Sequence, residues 1–206
     1  MVSADATMFI VSAPSGAGKT SLVTRLLSDL PKVACSVSHT TRPLRPTDEN
    51  AKDYHFVTRP EFEAMVERGE FLEHAEVFGN YYGTSEASVQ ACKDNGNDVI
   101  LEIDWQGGAQ IKATRPEVVW IFILPPSKEA LLKRLRGRAS DAEDVIERRT
   151  NEAVTEMREW TRADYLVFND DFEQALAELK AIIMSYRLGR VRQSKRHRDL
   201  LESLTL

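Results

Sequence analysis

Cysteine is scarce in this 206-residue chain. Only Cys35 and Cys92 occur, too far apart for a CxxC redox pair, a zinc ribbon or a disulfide framework, so a reducing compartment is expected. No apolar run approaches the roughly 20 residues that cross a bilayer, and the N-terminus lacks the basic, apolar, small-residue order of a signal peptide. A soluble, cytoplasmic protein without a membrane partner is the expectation. An excess of positive charge is missing too: 27 Lys and Arg against 32 Asp and Glu leave −5, which gives no general electrostatic reason to coat nucleic acid. Any anionic ligand must be held locally. The four histidines, at 39, 55, 74 and 197, show no metal-ligand spacing, and no Ser, Cys or His constellation points to a covalent intermediate. Internal repeats and low-complexity segments are absent.

With 42% hydrophobic and 29% charged residues, the chain can bury one good-sized core and stay in solution. Apolar runs of strand length alternate with stretches of helical period, the pattern of an α/β fold with a central parallel sheet covered on both faces. Met8 to Val11, Asp98 to Ile103, Val118 to Leu124 and Tyr165 to Phe168 read as strands; Leu22, Val23, Leu26, Leu27 and Leu30 read as one helix face ending at Pro31. Between residues 36 and 96 proline and glycine punctuate short β-like pieces, with one small helix opened by the capping box Thr58-x-x-Glu61. This predicts an inserted lobe. A second interruption, Arg136 to Asp144, precedes a capping box at Ser140-x-x-Glu143 and predicts a helical lid over 134–159. The core then comprises residues 1–35, 97–133 and 160–206. Its closing helix carries Phe172, Ala175, Leu176, Leu179, Ile182, Ile183 and Tyr186 on one stripe.

The segment Ala13-Pro14-Ser15-Gly16-Ala17-Gly18-Lys19-Thr20, followed by Ser21, lies between the first strand and the first helix, the context a phosphate-binding P-loop requires. Its backbone N–H groups and the positive end of the following helix would cradle phosphate oxygens. Lys19 would neutralise the β and γ phosphates and Thr20 would ligate magnesium. The usual first glycine is replaced by Ala13, a position that shapes the turn without supplying charge.

Further motifs follow in order: Ser38-His39-Thr40-Thr41-Arg42-Pro43-Leu44-Arg45, Tyr54, Phe71-Leu72-Glu73, Gly79-Asn80-Tyr81-Tyr82-Gly83-Thr84, Leu101-Glu102-Ile103-Asp104 and Val167-Phe168-Asn169-Asp170-Asp171. With the P-loop, this order and spacing resembles guanylate kinase over residues 8 to 186. The resemblance implies a P-loop three-layer fold with a nucleotide-monophosphate-binding lobe and a lid. It implies transfer of the γ-phosphoryl of MgATP to GMP, and to dGMP, giving ADP and GDP within purine nucleotide metabolism. Residues 13–21 and Asn169 would bind ATP, although a helix-capping turn explains Asn-Asp-Asp equally well. Ser38, Arg42, Arg45, Tyr54, Glu73, Tyr82, Thr84, Glu102 and Asp104 would bind GMP. Lys19, Arg134, Arg138 and Arg149 would act on the transferring phosphoryl group. Magnesium would be held by Thr20 and by Asp104, partly through water.

Chemistry makes these assignments intelligible. Guanine offers N1–H and N2–H₂ donors beside an O6 acceptor, so a carboxylate with hydroxyls suits it. Glu73 could accept from both donors while Ser38 and Thr84 donate, and Arg42, Arg45, Tyr54 and Tyr82 could hold the monophosphate. Asp104 ends a strand near the P-loop, and Glu102 sits two residues earlier on the same face. Arg134 and Arg138 share a helix face, while Arg149 borders an inward stripe of Ile146, Thr150, Ala153, Met157 and Trp160.

The chain departs from the family where Pro-Arg-x-Gly-Glu-x-x-Gly is usual: Leu44-Arg45-Pro46-Thr47-Asp48-Glu49-Asn50-Ala51 lacks both glycines, which leaves the loop's conformation open. From Arg187 to Arg198 six basic residues occur without an acidic one, read as a solvated helical extension, with a subunit contact in a homo-oligomer or an anionic partner as alternatives. Three rival functions compete with the kinase. A non-catalytic interaction module has no need of Lys19 and Thr20. A P-loop GTPase is suggested by Asp104-Trp105-Gln106-Gly107 but lacks an Asn-Lys-x-Asp motif. A kinase of the same fold acting on another small phosphate is the third.

Overall fold

A computed structural model describes residues 6–46, 48–77, 79–136, 150 and 153–205. Five parallel strands form the main sheet in the order β2-β7-β1-β8-β9, with β1 Met8–Ser12, β2 Val33–Cys35, β7 Asp98–Glu102, β8 Val119–Leu124 and β9 Tyr165–Phe168. All five residues of β1 are buried, as a central strand covered on both faces requires. Alternate side chains enter different cores. Phe9 and Val11 meet Leu22, Val23 and Leu26 of α1 (Lys19–Asp29) and Leu176, Leu179 and Ile183 of α7 (Phe172–Leu188). Met8 and Ile10 meet Val89 of α3 (Glu86–Asp94) and Ile111 of α4 (Trp105–Thr114), with Trp120 and Phe122. The α/β fold with a central parallel sheet is as the alternation of apolar runs and helical periods predicts.

A second, four-stranded sheet, ordered β4-β3-β6-β5, is built from β3 His39–Thr40, β4 His55–Phe56, β5 Phe71–Val77 and β6 Asn80–Ser85. Thr58 caps α2 (Arg59–Glu67) with the reciprocal Glu61 bonds of a capping box. Gln110 ties this sheet to α4: its side chain accepts from His74 N at 3.2 Å and donates to His74 O at 2.9 Å.

After β8, α5 (Lys128–Arg136) and helical residues 153–157 (α6) bury Leu131, Leu135 and Ala153 together. The capping box at Ser140, together with Arg138, Ile146 and Arg149, lies outside the described residues. Of the expected inward stripe, Thr150 and Ala153 are buried and Met157 packs partly, but Trp160 is 46% exposed. The chain tightens into a 3₁₀ turn over Arg158–Arg162, and that change of period turns Trp160 outward.

The basic C-terminal run is helical and exposed at Arg190, Lys195, Arg196 and Arg198, as a solvated extension would be, but not throughout. Two of its members turn inward onto Asp98, which is fully buried: Arg187 Nε donates to Oδ2 and Arg192 Nη1 to Oδ1, both at 2.8 Å, and Thr7 N adds a third bond at 2.9 Å. Arg187 also donates to the carbonyls of Pro31 and Lys32. Arg187 and Arg192 therefore fasten the end of α7 and α8 (Arg190–Arg196) to the strands, while Leu188 and Val191 stay exposed, as do Leu200, Leu201 and Leu204 of α9 (Arg198–Thr205).

Candidate active site

The P-loop adopts the conformation its glycines permit. Gly16 and Gly18 have φ of 87° and 93°, and Ala17 N donates to Pro14 O at 3.1 Å, curling the backbone ahead of α1. Residues 13–16 and 18–21 line a cavity of about 230 Å³. At its rim Ser15 N donates to Glu156 Oε2 of α6 at 3.0 Å. Lys19 Nζ donates to Ile103 O at 3.1 Å, and Thr20 Oγ1 to Glu102 Oε1 at 2.5 Å. A lysine and a hydroxyl are thus placed beside an anion cradle, with a carboxylate against the hydroxyl.

Asn169 packs behind this loop. It is buried, its amide donates to Ala17 O at 2.7 Å, and it fills the space a side chain at Gly18 would need. The cap of α7 is Asp171, which accepts from Gln174 N, so the two readings of Asn-Asp-Asp divide between neighbouring residues. Arg134 Nη2 donates to Asn169 O at 2.8 Å and its Nη1 to Ala17 O at 3.4 Å. Of the expected catalytic arginines, this one therefore lies against the P-loop backbone.

The second cluster lies on the four-stranded sheet. Glu73 of β5 stands directly opposite Thr84 of β6, and Thr84 Oγ1 is 3.2 Å from Ser38 Oγ. Glu73 is only 4% exposed and its Oε1 has no partner. Burial pushes its carboxyl up to about 7; hydrogen bonds from Thr84 oppose the shift and the nearby Asp104 carboxylate adds to it. An unpartnered buried acceptor costs free energy, and a ligand bringing N–H donors would relieve that cost. Next to it, Asp104 caps α4, accepting from Gly107 N at 3.0 Å and from Gln106 Nε2 at 3.1 Å. Of the two acids, Glu102 is the one that touches Thr20.

Arg42 lies over the rings of Tyr54 and Phe56, 5.6 and 5.3 Å from their centroids, and the Tyr54 and Tyr82 rings meet edge to face at 5.8 Å. Burial pushes the Tyr54 hydroxyl up to about 12, so it stays protonated and able to donate. Sequence reasoning missed the acid here. Asp48 Oδ2 accepts from Arg42 Nη1 at 2.9 Å and from Arg45 N at 2.7 Å, and these bonds hold its carboxyl below the usual carboxylate range. Its signal was the acidic residue three positions after Arg45, in the altered loop. That loop keeps a left-handed residue despite lacking glycine: Ala51 has φ of 62°.

No helix among the described residues is long and apolar enough to cross a membrane. A P-loop cavity beside the five-stranded sheet, and on the four-stranded sheet a buried acid with an arginine over tyrosine and phenylalanine rings, agree with what the chain resembles. The family model described as guanylate kinase matches residues 5–186. Guanylate kinase of Alkalilimnicola ehrlichii is 53% identical over 198 residues, 96% of this chain and 98% of that protein. Guanylate kinase of Pseudomonas fluorescens is 50% identical over 204 residues, covering 99% of each. The crystal structure of guanylate kinase from Anaplasma phagocytophilum superposes with a TM-score of 0.77 at 32% identity, covering 98% of this chain and 97% of that one. By its P-loop, its two-sheet architecture and these full-length similarities, the chain belongs to the guanylate kinase family.

Proposed function

We propose that the protein transfers the γ-phosphoryl group of MgATP to the phosphate of GMP, giving ADP and GDP, and likewise to dGMP, giving dGDP, in the cytoplasm as a step of purine nucleotide metabolism. The observation that carries the acceptor assignment is Glu73: a buried carboxyl with one unpartnered oxygen, opposite Thr84, whose hydroxyl lies 3.2 Å from that of Ser38. Guanine N1–H and N2–H₂ would donate to it, and the hydroxyls would serve O6 and its surroundings. Arg42 and Arg45, with the Tyr54 and Tyr82 hydroxyls, hold the monophosphate, which takes the place of Asp48 on the Arg42 guanidinium. Residues 36–96 act as the acceptor lobe and 134–159 as the lid.

The donor lies in the P-loop, its phosphates on the backbone N–H groups of residues 15–20 and on Lys19. Transfer is in line, from γ-phosphorus to an acceptor oxygen that is already anionic, so no protein base is needed. Lys19, Arg134, Arg138 and Arg149 neutralise the charge spread over the transferring group. Thr20 and Glu102 offer a hydroxyl and a carboxylate side by side, a hard-oxygen set that fits Mg²⁺; these two, with Asp104 through water, would hold the ion. When bound with ATP, the ion screens the phosphate oxygens against the approaching anion. Closure of lobe and lid excludes water, which would otherwise compete as acceptor.

The test is a coupled assay of ADP release from MgATP with GMP, dGMP, AMP, UMP, dTMP or no acceptor. Turnover with GMP and dGMP alone is expected. Equal turnover without acceptor would mark an ATPase, and preference for another monophosphate would overturn the base assignment.

A further inference from the structure

Gly107 and Gly108 stand together in the N-terminal turns of α4. Glycine inside a helix costs roughly 0.5–1 kcal/mol relative to alanine, so each should have a local reason. For Gly108 the reason is Trp120: a Cβ there would lie 2.6 Å from the indole, which is buried and tied through Nε1 to Ser12 Oγ at 2.6 Å. For Gly107 the neighbour is Glu73. A Cβ would stand 2.9 Å from its Cδ and 3.3 Å from its Cγ, and closer still to Oε2. Both the carboxyl head and the stem would have to move.

The helix cannot retreat to make room. Its first turn is anchored by Asp104, which accepts from the Gly107 N–H itself. Gly108 seats its far side against Trp120. Gln110 locks it to β5 by two bonds to His74, the residue next to Glu73. An added methyl group must therefore be absorbed by the Glu73 side chain.

We infer that Gly107 is a positioning residue for guanine selectivity: its missing side chain leaves the slot in which the Glu73 carboxyl is held. This rests on the reading of Glu73 as the guanine acceptor. Gly107→Ala keeps a helix-compatible backbone and touches neither the P-loop nor the arginine pocket. It should raise KM for GMP at least tenfold, leave KM for ATP within twofold, and narrow the preference for GMP over IMP, which lacks the 2-amino group.

The decisive arm is epistasis. In a Glu73→Ala background, where the obstructed carboxyl is gone, adding Gly107→Ala should change KM for GMP by less than twofold. The same rise in both backgrounds would mean a scaffold defect and overturn the inference, as would an unchanged KM in the single variant when Glu73→Ala alone raises it. If Glu73→Ala itself leaves KM for GMP unchanged, the guanine reading of Glu73 fails first and this inference with it. Should Gly107→Ala melt early, Gly107→Ala with Glu73→Ala, which removes both head and stem, must melt at the temperature of Glu73→Ala alone; failure to do so also overturns it.

Discussion

Thr20 and Glu102, 82 residues apart in sequence, meet at 2.5 Å between hydroxyl and carboxylate. The contact joins the first turn of α1 to the end of β7, strands β7 and β1 being neighbours in the sheet. The hydroxyl expected to serve the donor's metal is thereby oriented by an acid from the next strand. Thr20→Val, which keeps the shape and removes the hydroxyl, should lower kcat/KM by roughly 10²-fold or more, the scale of losing one transition-state ligand. Glu102→Gln should fall less and raise the magnesium concentration needed for half-maximal rate. Steady-state rates over a magnesium titration check both.

On the reading of Glu73 as the guanine acceptor, its raised pKa predicts pH-dependent GMP binding. Only the ionised carboxyl accepts from both N1–H and N2–H₂, and with a free-enzyme value of about 7 the ionised share falls steeply below neutrality. Lowering pH from 8 to 6 should raise KM for GMP about tenfold through this group. Glu73→Gln should show a high KM without that component, leaving only the titration of the GMP phosphate, and should bind ATP unchanged. The same shift bears on stability. The native carboxyl holds its proton above the pH at which the unfolded one loses it, so this group lowers stability as pH rises from about 4.5 to 7. Glu73→Gln should therefore be more stable than the parent at pH 8, by as much as about 3 kcal/mol, and no more stable near pH 4. Urea melts at the two pH values measure it.

Ala51 holds a left-handed conformation that costs an L-residue roughly 1–2 kcal/mol. Ala51→Gly removes that cost and returns part of it as greater freedom in the unfolded chain. A net gain of about 0.5–1 kcal/mol is expected in denaturant titrations. A loss of stability would mean the loop does not hold this turn in solution.

Glu156 presents a carboxylate to Ser15 N at the rim of the P-loop cavity, where donor phosphate oxygens would compete for the same N–H. Glu156→Gln keeps the size and removes the charge. It should tighten ATP binding roughly three- to tenfold by calorimetry, about 0.7–1.4 kcal/mol, while GMP affinity stays unchanged.

The strands, the P-loop and the Thr58 capping box were legible because each is written in contiguous residues: buried parallel strands need unbroken apolar runs, anion cradles need successive N–H groups, and caps act within one turn. The family motifs likewise marked Glu73, Arg42 and Tyr54 by their local surroundings. What the linear order could not disclose is which distant side chains meet. Glu156 reaches Ser15 across 141 residues, and Arg192 reaches Asp98 across 94. A run of basic residues looks solvated until a buried acid is found beneath it, and Gly107 looks like a weak spot in a helix until Glu73 is seen against it. Local pattern determined the elements and the chemistry available at each; the packing of helix against sheet decided which groups share a site, because contacts between elements depend on register and crossing distances that no single segment encodes.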